Sequence, residues 1–451
     1  MIVLSFLAAL SGAGLVFWAT AHGAGMTHDS AIYVIAAKNF IAGKGLTSLT
    51  PDGGFRLLSA YPPLYPAGLA LAGSVSGSIE QGARFLNAAL FGALLFLTGF
   101  WTKKLLPVLL LLFSWNLLYI HAMAWSEPLC LVCGFSGLYL LERDLNNGRA
   151  ALSGWAVAGI AAAALSRYAG VAFVVASMVL SLTCVKEPPR RRMFFLTSVA
   201  ALLPLLLWFC AVHSAGGGFA GRQFSVHFPG VHAFSRSWLF WVTQAPLMIL
   251  PFLMREKKVL KYFSLFYFLV LVLSSVFWDA NIPFDGRTLC PLYVAGVIAS
   301  ASLTQRPTRL FLYALLALTA AYSFRNIPFL RVDGLGYASS HWKESGTVRA
   351  LKDLPDEAKL YSNLPEGVYL LSGRPACALP FKFFPSLDRS NPDYEAMMAS
   401  LAQKRGRELI FIVFFDRAHR AFMPTREELK ARLPLLLVQE SEDGVIFSLA
   451  R

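Results

Sequence analysis

The sequence predicts a polytopic α-helical membrane protein with a small α/β domain at its C-terminal end. Of the 451 residues, 56% are hydrophobic and only 15% are charged, and the mean hydropathy is +0.55. Soluble domains are usually about one-quarter charged. Several apolar runs approach or exceed the ~18 residues that indicate a bilayer span. After the last run the tail is mixed in polarity, which is typical of a separate folded domain.

The apolar runs predict about eleven transmembrane helices. Residues 151–184 count as two of them, because one continuous helix would be roughly 50 Å long at 1.5 Å per residue. The hydrocarbon core is only about 30 Å thick, and the letters SRYAG at 166–170 place a charge and a glycine in the middle. We therefore expect two short helices that meet at Arg167. The predicted spans are residues 2–21, 83–101, 105–122, 127–142, 151–165, 168–184, 193–213, 238–254, 262–278, 289–304 and 308–324.

The net charge of +14 is concentrated in short loops between apolar runs, for example at residues 186–192 and 255–261. Such clustering follows the positive-inside rule and argues against a nucleic-acid partner. The N-terminus is then cytoplasmic, and we expect the first span to remain uncleaved. The membrane module covers 1–324 and the extracytoplasmic α/β domain covers 325–451. The predicted external segments are 22–82, 123–126, 166–167, 214–237, 279–288 and the tail.

The first external loop, 22–82, is long for a membrane protein. Apolar residues at helical spacing between Asp29 and Lys44 predict a short helix that lies along the bilayer surface and ends at Gly43 and Gly45. In the tail, KLYSNL and LIFIVFF have the composition of strands, and EELKARL has that of a helix. VQESEDGVIFSLA predicts a hairpin with its turn at residues 443–444.

Four charged residues in or directly beside the predicted external segments each allow two interpretations. Asp29 suits a helix N-cap or a general base, and Glu127 in WSEPL suits a helix start or a functional acid. Arg167 could extend to the membrane interface or serve a site inside the membrane protein. Arg287 could pair with Asp285, or its planar fork of donors could bind phosphate oxygens.

Metal ligands are only weakly indicated. His28 and His121 stand apart in the sequence without ligand spacing, and five of the six cysteines lie in apolar runs. We therefore expect neither a disulfide framework nor a zinc site.

An ordered set of short motifs resembles the membrane glycosyltransferases with the GT-C fold, in particular protein O-mannosyltransferases and the aminoarabinose transferases of lipid A. Two features differ from that family. Many members carry two adjacent acids in the first loop where this chain has His28 and Asp29, and the tyrosine after the late arginine is Thr288 here. The matching segments, in order, are DSAIYVIAAKNFIAGKGL, YPPLYPAGLAL, SEPL, LSRYAG, GRTLCPLY and, in the tail, YSNLPEGVYLLSGRPACALP.

The resemblance implies an inverting transfer of one sugar from a polyprenyl-phosphate donor to a hydroxyl of a lipid, glycan or protein acceptor at the external face of the cytoplasmic (inner) membrane. Asp29 would be the catalytic base, and Arg287 with Arg167 would bind the donor phosphate. No cofactor is expected to be required, although some relatives use a divalent metal. The residues expected to position sugar, acceptor or loops are His28, Tyr61, Tyr65, Glu127, Tyr168 and Asp285.

Three alternatives remain open at this stage. The same fold could use a pentose donor of the arabinofuranose type. A lipid or solute transporter would need internal repeats and broken helices in matching halves, which the sequence does not display. A non-catalytic scaffold in envelope assembly is the third alternative.

Overall fold

The computed structural model describes residues 1–218, 222–228, 230, 233–234, 237–418 and 420–450. Up to residue 333 the chain is mainly helical, with one small antiparallel hairpin made of β1 (Thr47–Leu49) and β2 (Phe55–Leu57). The helices of this part are α1 (Ile2–Ala19), α2 (His28–Ile41), α3 (Leu64–Ser76), α4 (Ile79–Thr102), α5 (Leu105–Leu112), α6 (Trp115–Ala122), α7 (Glu127–Asn146), α8 (Gly154–Ser166), α9 (Val171–Cys184), α10 (Pro188–Ala200), α11 (Leu203–Ser214), α12 (Trp238–Thr243), α13 (Ala245–Leu253), α14 (Lys258–Phe277), α15 (Cys290–Ser300) and α16 (Arg306–Asp333).

Within the described residues, five helical segments are long and apolar enough to cross a membrane, or six if the bent pair α5–α6 forms one span. The remaining apolar helices have 10–17 residues. A helix of thirteen residues extends only about 20 Å, short of the ~30 Å hydrocarbon core. The apolar helices indicate an integral membrane protein, while the number of eleven spans stays a prediction.

The break predicted at Arg167 is confirmed, because α8 ends at Ser166 and α9 begins at Val171. The span predicted for 105–122 is bent, because α5 and α6 meet at an angle of 58°, and whether the pair crosses the membrane stays a prediction. Ser323 of α16 donates a hydrogen bond to the Phe113 carbonyl at 2.8 Å, and so satisfies a backbone acceptor at the break.

The C-terminal part, which we define as residues 334–450, contains a mixed sheet in the strand order β4-β3-β7-β9-β8. β3 pairs in parallel with β4 and β7, and β9 pairs antiparallel with β7 and β8. The predicted strands, helix and final hairpin are all present, but the hairpin turns at residues 442–443, one residue earlier than predicted, because Gly444 already pairs with Ser441. Its elements are α17 (Ser340–Lys343), α18 (Gly346–Ala350), β3 (Lys359–Ser362), α19 (Pro365–Ser372), β4 (Ala376–Ala378), β5 (Phe383–Phe384), β6 (Arg389–Ser390), α20 (Tyr394–Gln403), β7 (Ile410–Phe415), α21 (Arg426–Arg432), β8 (Leu435–Ser441) and β9 (Gly444–Leu449).

Both faces of this sheet are covered, which explains the continuous apolar run of β7. Ile410 and Ile412 pack with α20 and α21 on one face. Phe411 and Val413 share a core with residues of α2 and α3 on the other face, including Tyr33. The helix predicted to lie on the bilayer surface is therefore mostly buried against protein. Its glycine stop is confirmed, since Gly43 and Gly45 both have positive φ.

Three of the segments predicted to be external meet at one end of the helices; they are 22–82, 123–126 and the tail. Gly25 forms a bridge with Met123, and Met26 forms one with Gly336. The β1–β2 hairpin is held by a hydrogen bond from the Ala378 amide to the Pro51 carbonyl at 2.7 Å. The first loop is thus clamped between the helix ends and the C-terminal part. The loop 214–237, rich in Gly, His and Phe, lies partly outside the described residues.

Candidate active site

Asp29 lies in the first turn of α2, but it does not cap the helix. The N-cap position belongs to Thr27, whose side chain makes no capping hydrogen bond. The Asp29 carboxylate instead accepts a hydrogen bond from the Tyr61 hydroxyl at 2.6 Å and one from Arg287 Nη2 at 2.7 Å. The capping interpretation is therefore wrong, and the acid faces a cationic partner that comes from 258 residues further along the chain.

Glu127 begins α7 and has a side chain that is only 3% exposed. Its Oε1 atom forms ion pairs with both Arg167 and Arg287. Its Oε2 atom has no hydrogen-bond partner among the residues that the structure describes. A buried carboxylate is tolerated when opposite charges compensate it, and two guanidinium groups do so here.

Arg287 bridges the two acids and lies over the ring of Trp125, with Cζ 3.9 Å from the ring centroid. A guanidinium over the face of an indole gains a cation–π attraction. Arg167 reaches the same place from the break between α8 and α9, and its Nη1 lies 3.4 Å from the Ser126 hydroxyl. The four charged side chains Asp29, Glu127, Arg167 and Arg287 form what we call the ionic cluster.

Two glycines allow the backbone to place these arginines. A Cβ at Gly170 would collide with the Ala163 carbonyl oxygen, so only glycine permits this close turn after Arg167. A Cβ at Gly286 would collide with the Asn116 side chain. Both glycines belong to quoted sequence segments, SRYAG and GRTLCPLY, that also contain these arginines.

Asp285 does not form the expected salt bridge with the Arg287 side chain. Its Oδ1 accepts hydrogen bonds from the backbone amides of Arg287 and Thr288 at 3.0 and 3.1 Å. A short acid that binds amides two and three residues later forms a local turn. Asp285 therefore shapes the loop that presents Arg287, and the guanidinium is left for Asp29 and Glu127.

The ionic cluster contains two carboxylates and two guanidinium groups, so its formal charges cancel. Burial by itself raises the pKa of Asp29, but the charge of Arg287 and the hydrogen bonds from Tyr61 and Arg287 outweigh it, and the pKa is lowered. Burial, together with the neighbouring Asp29 carboxylate, raises the pKa of Tyr61 well above its ordinary value. Tyr61 is therefore a neutral donor to an ionised Asp29.

One side of the cluster remains accessible. The side chains of Asp29, Arg287 and Arg167 are 24%, 22% and 21% exposed. Each guanidinium has five N–H donors, and the contacts above engage Nε and Nη2 of Arg287 and Nη1 of Arg167. Donors therefore remain on both arginines for an incoming anion.

The tyrosines of the first loop divide into two roles. Tyr61 touches Asp29, whereas the hydroxyl of the fully buried Tyr65 donates to Asn87 at 3.2 Å. The edge of the Tyr33 ring separates them, in T-shaped contacts with both rings. Tyr65 is thus a core residue behind the site, and the prediction that it positions sugar or acceptor has no contact to support it.

Tyr168 and His28 lie at the margin of the ionic cluster. The Tyr168 hydroxyl donates to the Ser59 carbonyl at 2.8 Å, and its ring stacks on Phe209. His28 Nδ1 lies 2.8 Å from Glu366 Oε1 in the C-terminal part. Both residues therefore hold the first loop against its neighbours rather than contacting Asp29 or Glu127.

Glu366 collects several donors at this contact. It also pairs with Arg420 and accepts a hydrogen bond from the Tyr337 hydroxyl at 3.2 Å. Burial raises the pKa of Glu366, but His28 and Arg420 outweigh it and lower the pKa to about 2. Desolvation lowers the pKa of His28, but the hydrogen bond and charge of Glu366 raise it above its ordinary value.

Sequence reasoning missed three contributors to the site. Trp125 and Ser126 are part of WSEPL, a motif selected for its acid, and the Ser126 hydroxyl lies 3.1 Å from that of Tyr33. Glu366 lies in the tail motif, but only the fold brings it to His28. No spacing rule would have identified Trp125 as the platform for an arginine 162 positions later.

In the described ranges, no group of three or more His, Cys, Asp or Glu side chains could hold a metal ion, and the expectation that no metal is required stays a prediction. Asp29 and Glu127 are both engaged by arginines. His121 is fully buried beside the Phe91 ring, with Nδ1 2.7 Å from the Leu117 carbonyl. It is a buried core residue in α6.

The fold and the site together define a class: an integral membrane protein in which acids and arginines from distant loops converge at the helix ends. No family model and no curated protein sequence matches the chain, whereas solved structures do. ArnT from Cupriavidus metallidurans bound to undecaprenyl phosphate matches with a TM-score of 0.60 and 15% identity, over 99% of this chain and 98% of that one.

Two further structures share the architecture. The Archaeoglobus fulgidus oligosaccharyltransferase in complex with zinc and sulfate matches with a TM-score of 0.57 and 11% identity, over 100% of this chain and 73% of that one. The arabinofuranosyltransferase AftD from mycobacteria matches with a TM-score of 0.54 and 13% identity, over 99% of this chain and 40% of that one. The chain has the GT-C fold of membrane glycosyltransferases, and the resemblance seen in its motifs is confirmed at the level of the fold.

Proposed function

We propose that this protein is an inverting glycosyltransferase that moves one sugar from a polyprenyl-phosphate donor to an acceptor hydroxyl at the external face of the cytoplasmic membrane. The observation that carries the proposal is the contact of Asp29 with Arg287 at 2.7 Å, beside the pair of Glu127 and Arg167. A base and two phosphate-binding cations within one accessible cluster are what this reaction requires. The GT-C fold and the undecaprenyl phosphate bound in the ArnT structure support the donor class.

In this proposal the donor phosphate enters by competing for Arg287. The phosphodiester carries one negative charge, and its oxygens suit the planar fork of a guanidinium. When Arg287 turns toward the phosphate, Asp29 loses the charge that lowers its pKa. The carboxylate then becomes a stronger base at the time when the donor is bound. Glu127 remains with Arg167 and keeps the site from gaining a surplus of positive charge.

The bond changes balance without a cofactor. The acceptor oxygen attacks the anomeric carbon from the face opposite the phosphate, and its proton passes to Asp29. The bond between the anomeric carbon and the phosphate oxygen breaks, and its electron pair stays on that oxygen. The products are a glycoside of inverted configuration and a polyprenyl monophosphate. Arg287 and Arg167 stabilise the charge that develops on the leaving phosphate, and such stabilisation acts mainly in the transition state.

Orientation follows from charge and belongs to the same proposal. The basic loops would be cytoplasmic, so the ionic cluster and the C-terminal part would face outward. There the C-terminal part would contribute to the acceptor site, because α19 contacts the helix that carries Asp29. The acceptor remains a lipid, a glycan or a protein within this scheme, and no metal ion is required.

The test is a transfer assay with purified protein in nanodiscs and synthetic polyprenyl-phosphate sugars, including a hexose, an aminopentose and arabinofuranose. The wild-type protein should release polyprenyl phosphate from one of them. Asp29→Asn keeps an oxygen for Tyr61 but removes the base, so turnover should fall by about 10²–10⁴-fold. Asp52→Asn is the matched control, because Asp52 is an exposed acid of the same loop.

Two results would contradict the proposal. One is normal turnover by the Asp29→Asn protein at an unchanged melting temperature. The other is labelled substrate crossing the bilayer of liposomes without any cleavage of the donor, which would identify a transporter. A positive result with the arabinofuranose donor alone would select the pentose alternative and leave the roles of the cluster unchanged.

A further inference from the structure

A cavity lies in the C-terminal part, apart from the ionic cluster, and has a volume of about 400 Å³. Its floor is formed where β3 and β7 end. Asn363, the first residue after β3, donates to the Phe415 carbonyl at 2.9 Å, and the Phe415 amide donates back to the Asn363 side chain at 3.0 Å. This reciprocal pair fixes the two strand ends and holds the cavity open beside them.

The cavity occupies the switch point of the sheet. From β3 the chain continues through α19 to β4 on one side, and from β7 it continues through α21 toward β9 on the other side. The connections of two adjacent parallel strands thus leave in opposite directions at their carboxyl ends. Such crevices are the usual ligand sites of open α/β sheets, and the volume falls within the range of about 300–1,000 Å³ for ligand pockets.

The wall carries charges of both signs. Lys382, Arg420 and Arg426 line the cavity together with the carboxylates of Asp416 and Glu427, and Arg426 Nη1 lies 3.6 Å from Asp416 Oδ2. Each of the three cations has an acidic partner outside the lining, and these partners hold the cations in place; they are Glu428 for Lys382, Glu366 for Arg420 and Glu440 for Arg426.

One donor of this wall is unused. Arg426 Nε is buried and has no hydrogen-bond partner among the described residues. A buried N–H without an acceptor costs free energy that a bound oxygen atom would recover. The half-buried ring of Phe414 and the side chain of Met423 supply an apolar surface next to these charges.

We propose that this cavity binds an anionic saccharide unit, a sugar that carries a phosphate or a carboxylate. The cations take the anionic group, and the apolar wall takes the face of the sugar ring. Binding here does not depend on the proposed transfer reaction. A series of side-chain contacts nevertheless links the cavity to the ionic cluster: Arg420 pairs with Glu366, Glu366 pairs with His28, and His28 precedes Asp29.

The test is calorimetric titration of the full-length protein in nanodiscs with a hexose phosphate, inorganic phosphate and the neutral hexose. The hexose phosphate should bind most tightly. Arg426→Gln should weaken it about tenfold or more, since a charge-assisted hydrogen bond is lost. Ala421→Trp fills the cavity from its exposed rim without removing any ion pair, and should abolish binding. Arg432→Gln, the same substitution at the far end of α21, should change the affinity less than twofold.

Each other outcome counts against the proposal. Equal binding of inorganic phosphate would remove the saccharide from it, and equal binding of the neutral hexose would remove the anion. Unchanged affinity in the Ala421→Trp protein would place the ligand elsewhere. With binding established, displacement of the hexose phosphate by an anionic glycolipid in the nanodisc identifies a lipid headgroup as the source, and its absence identifies a soluble sugar.

Discussion

Replacement of Arg287 by lysine keeps the charge and changes the geometry, so it isolates what the guanidinium contributes. Arg287 makes three contacts at once: Nη2 with Asp29, Nε with Glu127 and its face with Trp125. An ammonium group is a point charge on a flexible stem and can reach one acid well, but it cannot bridge both while lying flat on the ring.

The expected loss comes from the contacts that an ammonium group cannot reproduce in the donor complex, which are one of the paired hydrogen bonds from the guanidinium fork to the phosphate and the contact with the Trp125 ring. One charge-assisted hydrogen bond is worth about 1.5–3 kcal/mol, and a cation–π contact adds roughly 0.5–2 kcal/mol. The sum of about 2–5 kcal/mol corresponds to a fall of roughly 30- to 4,000-fold in kcat/KM, at about 1.4 kcal/mol per tenfold. The assay is release of polyprenyl phosphate under conditions where donor concentration limits the rate.

The control is Arg149→Lys, since Arg149 is half-exposed, pairs with Asp144 and lies outside the predicted external segments. That variant should keep wild-type kcat/KM within about twofold, because lysine keeps the positive charge that faces Asp144 and the pair takes no part in the ionic cluster. If the Arg287→Lys protein retained kcat/KM within threefold of the wild type, phosphate binding by the guanidinium fork would be refuted. A positive charge at this position, without the geometry of the guanidinium fork, would then be enough to explain the activity.

Three further predictions concern the same cluster. Glu127→Gln breaks a buried ion network and should cost about 3–5 kcal/mol of stability, read as a lowered melting temperature; an unchanged one contradicts the assigned pairs. Gly170→Ala should lower both melting temperature and turnover by displacing Arg167, whereas Gly154→Ala, which has open space at its Cβ, should do neither. The pKa of Asp29 is lower in the folded protein than its ordinary value of 3.8, so the ionised carboxylate stabilises the folded state at pH values above 3.8. This stabilisation is lost as the pH falls through the folded-state pKa. The melting-temperature gap between wild type and Asp29→Asn should therefore narrow from pH 6 to pH 3.5, and a constant gap would argue against the pair with Arg287.

The charges of the loops predicted which segments lie together, whereas the lengths of the apolar runs did not fix the number of spans. The distribution of basic residues predicts that one side of the membrane holds the segments 22–82, 123–126, 166–167, 279–288 and the tail. The structure brings these segments together at one end of the helices. The charge of a loop can be read from that loop's own residues, and which end of the helices is external stays a prediction. Span length is less local: α8, α9 and α15 are too short to count as spans by length, although their sequences contain no charged residue.

The errors share one cause, which is that a polar side chain is satisfied by whatever the fold places beside it. Asp29 has the type and position of an N-cap, yet Tyr61 and Arg287 bind it. Asp285 is two residues from Arg287, yet its carboxylate binds backbone amides. The apolar stripe of α2 was assigned to lipid, but the sheet of the C-terminal part covers it. Each local interpretation was chemically reasonable, but Asp29 and α2 have partners that are distant in the sequence, and Asp285 binds neighbouring amides instead of the Arg287 side chain.

The sequence by itself determined that the chain is built on apolar helices, that helix breaks occur at Arg167 and at Gly43 and Gly45, and that an α/β tail follows. These features depend on composition and on local backbone preference, which neighbouring residues decide. Tertiary structure alone decided that Asp29, Glu127, Arg167 and Arg287 form one ionic cluster. Opposite charges from four separate loops attract over short distances only, so their pairing exists once helix packing has brought those loops together.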